Sequence, residues 1–207
     1  MTTTPPLRAL AVVCTLNRSP AASSSQLLAE QVLELLAAEG ATTELVRAAD
    51  HTIPPGVAVD VGEGDDWPAL RERVLACDIL LLATPIWLGH PSSVAQRVLE
   101  RLNADISETD DEGRPLLSGR VGAVAVVGNE DGAHKVAADL FQGLSDIGFT
   151  LPPQAVTYWV GEAMQGTDYQ DLAETPEKVR STSAALASTA AHLARVLRER
   201  PFPAPPS

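Results

Sequence analysis

Short apolar runs recur along this chain, each followed by a stretch of helical spacing, and that alternation restricts the fold more than any other feature. Leu7 to Cys14 is apolar except for Arg8 and reads as a strand buried on both faces. From Ser23 to Glu39, Leu28, Val32, Leu35 and Leu36 share one helical face, and Gly40 supplies the stop. Glu44 to Ala48 is a short strand candidate. Residues 49–68, with their prolines, glycines and acids, read as a loop before a helix at 68–76. Asp78 to Thr84 is the strongest strand signal, and Pro85 is expected to end it. Ser92 or Ser93 caps a helix carrying Val94, Val98 and Leu102, and 105–114 reads as a solvated acidic connection. Val121 to Val127 is another buried strand, followed by a helix lined by Val136, Leu140, Leu144 and Ile147 that stops at Gly148. A fifth strand is expected within 151–160. The last helix opens on Thr175-Pro176-Glu177, with the threonine hydroxyl as its cap, and closes on Arg195, Arg198 and Arg200.

Strands alternating with helices in this way imply an α/β three-layer sandwich: a five-stranded parallel sheet with helices on both faces. At this point two strand orders are open, the dinucleotide-binding one and the flavodoxin-like 2-1-3-4-5. Residues 1–207 read as a single domain, with 1–6 and the proline-rich 201–207 as loose tails. In either order, ligands bind beyond the carboxyl ends of the strands, where strand order reverses. Function is therefore to be sought in 15–25, 84–92 and 128–134.

Twenty-seven acidic against 15 basic residues give a formal charge of −12, which opposes binding to nucleic acid or an anionic bilayer. No apolar run approaches the about 20 residues that a membrane-spanning helix needs. The first residues lack the pattern of a secretory signal. Cys14 and Cys77, the two cysteines, lie in apolar surroundings and read as reduced thiols of a cytoplasmic protein, not as a disulfide or zinc site. The acids from Asp105 to Glu112 lack cation-ligand spacing, and no metal is expected.

The first of the three loops, Thr15 to Ser25, is rich in hydroxyls and runs into a helix N-terminus, a setting that holds a phosphate without a lysine. It contains neither GxGxxG nor GxxxxGK[ST], so a single terminal phosphate fits better than a pyrophosphate or a triphosphate. One capping serine in a polar loop is the plainer alternative. The second loop, Thr84 to Ser92, is stiffened by two prolines and carries Trp87, a wall for a flat ring or else a core residue. In the third, Gly128 to His134, two glycines and Asn129 can present amides to a polar ring edge; alternatively it is a turn with Asp131 as helix cap.

These residues resemble the flavodoxin-like NAD(P)H-dependent FMN reductase family from Leu7 to about Asp171. The serine-rich loop before Gln26-Leu27-Leu28 is similar to that family's phosphate loop. Ala83-Thr84-Pro85-Ile86-Trp87-Leu88-Gly89 resembles its T-P-x-Y/W-x-G loop, and Gly128 to His134 its third loop. The G-S-x-R start of many members is missing, as is the cysteine cluster of iron–sulfur flavoproteins. The resemblance implies the 2-1-3-4-5 order, FMN as cofactor and NADPH or NADH as electron donor. It further implies a quinone or other small acceptor, and a homodimer or homotetramer. By it, Asn17, Ser23 and Ser24 contact the phosphate; Pro85, Ile86, Trp87, Leu88 and Gly89 line the ribityl chain and ring; and Gly128, Asn129 and Gly132 close the ring site. Flavin carries the hydride chemistry, so no acid–base pair is required. Trp87, His90, His134, Tyr158 and Trp159 are the candidates for the substrate side, with solvated loop or core positions as the alternative for each.

Two other classes compete. An acidic electron carrier like flavodoxin lacks NAD(P)H turnover of its own; the long 105–119 and 160–175 connections exceed what a carrier needs and suit oligomer contacts. Val13-Cys14 to Arg18-Ser19-Pro20 echoes the loop of low-molecular-weight phosphatases and arsenate reductases. That chemistry needs five residues between cysteine and arginine, where Cys14 and Arg18 have three, and an Asp-Pro pair that is missing.

Overall fold

Strands β1 (Leu7–Val13), β2 (Ala41–Arg47), β3 (Ile79–Trp87), β5 (Val121–Gly128) and β6 (Val156–Val160) run parallel in the order β2-β1-β3-β5-β6. Strand β4 is only His90–Pro91 and folds back antiparallel on the end of β3. Without that two-residue return the order is the flavodoxin-like one, which excludes the dinucleotide-binding alternative. The chain runs outward from β1 to β2 and then crosses to β3, so strand order reverses between β1 and β3. The structure, a computed structural model, describes residues 5–163 and 165–204.

Helices α1 (Ser24–Ala38) and α5 (Glu177–Glu199) cover one face; α2 (Trp67–Ala76), α3 (Ser93–Leu102) and α4 (Ala133–Asp146) cover the other. The two-residue period of a strand divides the core. In β1, Leu7, Ala9, Ala11 and Val13 face α1 and α5, while Leu10, Val12 and Cys14 face the opposite layer. Ala83, Ala123 and Ala125 continue the small-residue face toward Ala187, Ala190 and Ala191 of α5.

Several expectations are corrected. Strand β2 begins at Ala41, not Glu44: as an outer strand it leaves Thr42, Thr43 and Glu44 exposed, so apolar patterning does not mark its start. Strand β3 runs through Pro85 to Trp87. Ala83 O accepts from Cys14 N, so residue 83 and, by alternation, residue 85 turn their backbone groups toward β1. Strand β1 has ended there, and the missing proline N–H removes no ladder bond. Ser92 caps α3, accepting from Ala95 N at 3.1 Å. Gly132, not Asp131, is the N-cap of α4, at φ +123°. Thr175 does not cap α5; its Oγ1 accepts from Gln31 Nε2 of α1 at 2.9 Å. Asp105 is not solvated but buried against Arg71. Of the expected tails, 1–4 and 205–207 lie outside the described residues, while Pro5 and Pro6 are held by Arg198, which donates to their carbonyls at 2.7 and 3.0 Å.

Candidate functional site

A cleft of about 440 Å³ opens beyond the carboxyl ends of β1, β3 and β5, at the reversal of strand order. Its first wall is the β1–α1 loop, with Thr15, Leu16, Asn17 and Ala22 leading into Ser23, Ser24 and Ser25. Ser23 Oγ accepts from Gln26 N at 3.3 Å and Ser23 O from Leu27 N at 3.0 Å. The N–H groups of Ser24 and Ser25, in the first turn of α1, have no hydrogen-bond partner among the described residues. Pro85, Ile86 and Trp87 at the end of β3 form the second wall; Val127, Gly128, Asn129 and Glu130 after β5 form the third. One residue joins the first two. Ser92 Oγ donates to Cys14 O at 2.6 Å, and Ser92 N donates to Thr84 Oγ1 at 3.0 Å.

A fourth wall comes from Trp159, a candidate from the sequence, and from Asp168, Tyr169 and Gln170, which the sequence reading missed. The connection after β6 packs over the chain's own cleft: Asn129 Nδ2 donates to Asp168 Oδ1 at 2.8 Å and Gln170 N to Ser24 Oγ at 3.3 Å. Tyr169 is buried beneath it and donates to Gln31 Oε1 at 2.6 Å; burial pushes its phenol above the usual tyrosine range. The signal available in the sequence was Tyr169 itself, an aromatic in an otherwise polar stretch.

Of the sequence candidates, Asn17, Ser23, Ser24, Pro85, Ile86, Trp87, Gly128, Asn129 and Trp159 line this cleft together. Leu88, Gly89, Gly132, His90, His134 and Tyr158 do not. Leu88 and Gly89 form the tip of the β3–β4 hairpin at φ +52° and +72°, with Leu88 89% exposed and its N–H donating to Glu130 Oε1 at 2.9 Å. Gly132 packs on that tip: a Cβ there would lie 2.9 Å from Gly89 Cα. His90 Nδ1 lies 3.0 Å from Lys135 Nζ, and His134 Nε2 lies 3.1 Å from Tyr158 Oη, ring edge to face. Tyr158 and Trp159 are neighbours in a strand and therefore point to opposite sheet faces. Arg18 is exposed, outside the cleft.

Among the described residues no lysine or arginine lines the cleft, whereas Glu130 and Asp168 do. An anion entering the cleft would meet amides and hydroxyls at the start of α1 in place of a cationic side chain. Two amide oxygens in the lining, Asn129 Oδ1 and Gln170 Oε1, are buried without a hydrogen-bond partner among the described residues. A ligand with a phosphate, a flat ring and its own N–H or O–H donors meets all of these demands, and FMN is such a ligand. Cys14, by contrast, is fully buried, and burial pushes its thiol up to about 12. A thiolate nucleophile needs the opposite shift, which overturns the phosphatase alternative.

A family profile described as NADPH-dependent FMN reductase matches residues 7–165. The 8-demethyl-8-aminoriboflavin-5'-phosphate synthase of Streptomyces davaonensis is 35% identical over 206 residues, 95% of this chain and 80% of that protein. The divalent metal cation transporter MntH of Mycobacterium bovis is 43% identical over 169 residues, 80% of this chain; the chain spans only 25% of that protein's length. Among the described residues no helix is long and apolar enough to cross a membrane. The structure of RosB with bound 8-demethyl-8-formylriboflavin-5'-phosphate superposes with a TM-score of 0.85 at 35% identity, covering 95% of this chain and 82% of that one. An NADH:FMN oxidoreductase, EMOB, superposes with a TM-score of 0.62 at 18% identity, covering 94% and 92%, a likeness of fold.

Proposed function

Because the chain belongs to the NADPH-dependent FMN reductase family, we propose that its cleft holds FMN, receives hydride from NADPH or NADH, and delivers electrons to a quinone or other small acceptor. The observation that carries this reading is the convergence of an amide- and hydroxyl-built loop, two tryptophans and two unpartnered amide oxygens on one cleft. When bound, FMN supplies the hydride chemistry, and the chain's residues bind and orient. The Ser24 and Ser25 amides, with Asn17 and the Ser23 and Ser24 side chains, receive the phosphate at the positive end of α1. Pro85, Ile86 and Trp87 wall the ribityl chain and ring, while Gly128 and Asn129 meet the ring's polar edge. Leu88, Gly89 and Gly132 act one step back, fixing the hairpin that carries Trp87. Trp87 is 53% exposed and leaves a face for the nicotinamide or the acceptor. His90, His134 and Tyr158 lie beyond it and meet only the outer part of a second substrate. A homodimer or homotetramer is the assembly we propose.

The test is spectroscopic and kinetic. The purified protein should take up FMN with a yellow spectrum and oxidise NAD(P)H in the presence of an acceptor. A colourless protein that micromolar FMN does not titrate overturns the reading, and flavin binding without turnover reduces it to an electron carrier. A second reading, in which the flavin itself is altered, is favoured by the 35% identity to a synthase of a modified riboflavin phosphate over 95% of the chain. The mass of the flavin recovered after turnover separates the two: unchanged for a reductase, changed for a flavin-modifying enzyme.

A further inference from the structure

Among the described residues two arginines are buried, Arg47 and Arg101, and they differ in one respect. Arg101 meets the carboxylate of Asp65. Arg47, 5% exposed, forms no ion pair among the described residues. It is the last residue of β2, in register with Val13, and so lies beside the point where the chain leaves β1 for the first wall of the cleft. Its Nε and Nη2 donate to Gln26 Oε1 at 2.9 and 2.5 Å, and its Nη1 donates to Asn17 O at 3.3 Å and Ala21 O at 2.8 Å. These acceptors span the loop from its rising limb to the first turn of α1.

The nearby acids form no ion pair with it, though the hydrogen bonds from Ser19 and, after them, the close Arg47 charge hold the Asp50 carboxyl below its usual range. Asp50 accepts from Ser19 N and Ser19 Oγ, both at 2.7 Å, and is exposed. Glu30, also exposed, is reached only through Gln26, whose Nε2 donates to it at 2.8 Å. A buried guanidinium whose partners are all neutral carries a desolvation cost that carbonyls offset only in part. Its geometry also orders the loop. In a trans peptide the N–H points opposite the C=O, so drawing Ala21 O toward Arg47 turns the N–H of Ala22, a cleft residue, away from it.

We propose that Arg47 is a positioning residue for a phosphate dianion: from behind the loop it fixes the peptides and supplies the positive charge that the cleft lining lacks. The inference rests on the FMN reading above and deepens it, because it makes the phosphorylated flavin, not riboflavin, the ligand class the site selects.

The experiment compares FMN and riboflavin affinities, by flavin fluorescence, for the wild-type chain, Arg47→Gln, Arg47→Lys and Gln26→Glu. Gln26→Glu leaves the guanidinium in place but sets a carboxylate against it, quenching its charge; it also loses the donation to Glu30. Arg47→Gln and Gln26→Glu should weaken FMN about ten- to a hundredfold, the scale of one charge acting across a short, partly desolvated distance, and leave riboflavin unchanged. Arg47→Lys should fall between these variants and the wild type. If Arg47→Gln and Gln26→Glu weaken both flavins alike, or leave FMN unchanged, Arg47 has no role toward the phosphate. If Arg47→Gln does not fold, Gln26→Glu decides alone. A wild-type chain that takes up no flavin instead overturns the FMN reading itself.

Discussion

Trp159 and Tyr169 meet with ring centroids 5.5 Å apart and planes tilted by 48°, which binds the segment after β6 to the strand it has just left. That contact makes the segment a wall of the cleft. Gly161, between them, is the tightest point: an added methyl would overlap Asn129 Oδ1 and approach the Trp159 ring within 2.6 Å. Gly161→Ala should therefore destabilise the fold by about 1–3 kcal/mol, as overpacking does. It should also weaken FMN binding by displacing Asn129; thermal melts and flavin titration measure the two effects separately.

Leu88 and Gly89 both have positive φ in a two-residue hairpin, the geometry of a type I′ turn, which favours Asn-Gly. A leucine there is conformationally strained. Leu88→Asn should raise stability by about 0.5–1 kcal/mol, visible as a higher midpoint in calorimetry. The FMN dissociation constant should be unchanged, since Leu88 does not line the cleft.

Arg101 joins the 51–66 loop to α3, with its Nη2 and Nη1 donating to Asp65 Oδ2 and Oδ1 at 2.6 and 3.1 Å and with further donations to the carbonyls of Pro54, Ala58 and Val59. Both side chains are fully buried. Asp65→Asn should cost about 3–5 kcal/mol, because it leaves a buried guanidinium unpaired. The hydrogen bonds from Arg101 hold the Asp65 carboxyl below its usual range. Its contribution is therefore complete above the unfolded value of about 3.9 and is lost as pH falls through the lower folded value. Urea midpoints of wild type and Asp65→Asn should converge in acid and stay apart at neutral pH.

Cys14 and Cys77 are buried, with thiols pushed up to about 12 by burial. At neutral pH neither should react with a disulfide reagent until the protein is unfolded, when both should titrate. Cys14→Ala should retain NAD(P)H turnover; abolished turnover in a folded Cys14→Ala protein would return the cysteine to the chemistry.

The parallel sheet and three walls of the cleft were legible because they rest on local signals: apolar runs of strand length, helical periodicity, and loops dense in hydroxyls, prolines or glycines. What was not legible depends on distant partners. Tyr169 finds Gln31 and Gln170 finds Ser24 across more than a hundred residues, and no period within 161–175 announces either. Thr175 reads as a helix cap until Gln31 is seen to claim it. Asp105 reads as solvated until Arg71 is placed beside it. The opposite facing of Tyr158 and Trp159 follows from the strand assignment alone and was available in the sequence.

Ser92 ties the end of β1 and the start of α3 through its buried hydroxyl and the end of β3 through its backbone N–H, whereas the hairpin tip four residues earlier stands in solvent. The cleft accordingly has a hydrogen-bonded floor and an exposed rim. Leu88 lies outside the cleft, so changes there leave the frame undisturbed. A change at Ser92 would uncouple two walls at once, so sequence change among relatives is expected to fall on the tip and spare the hub.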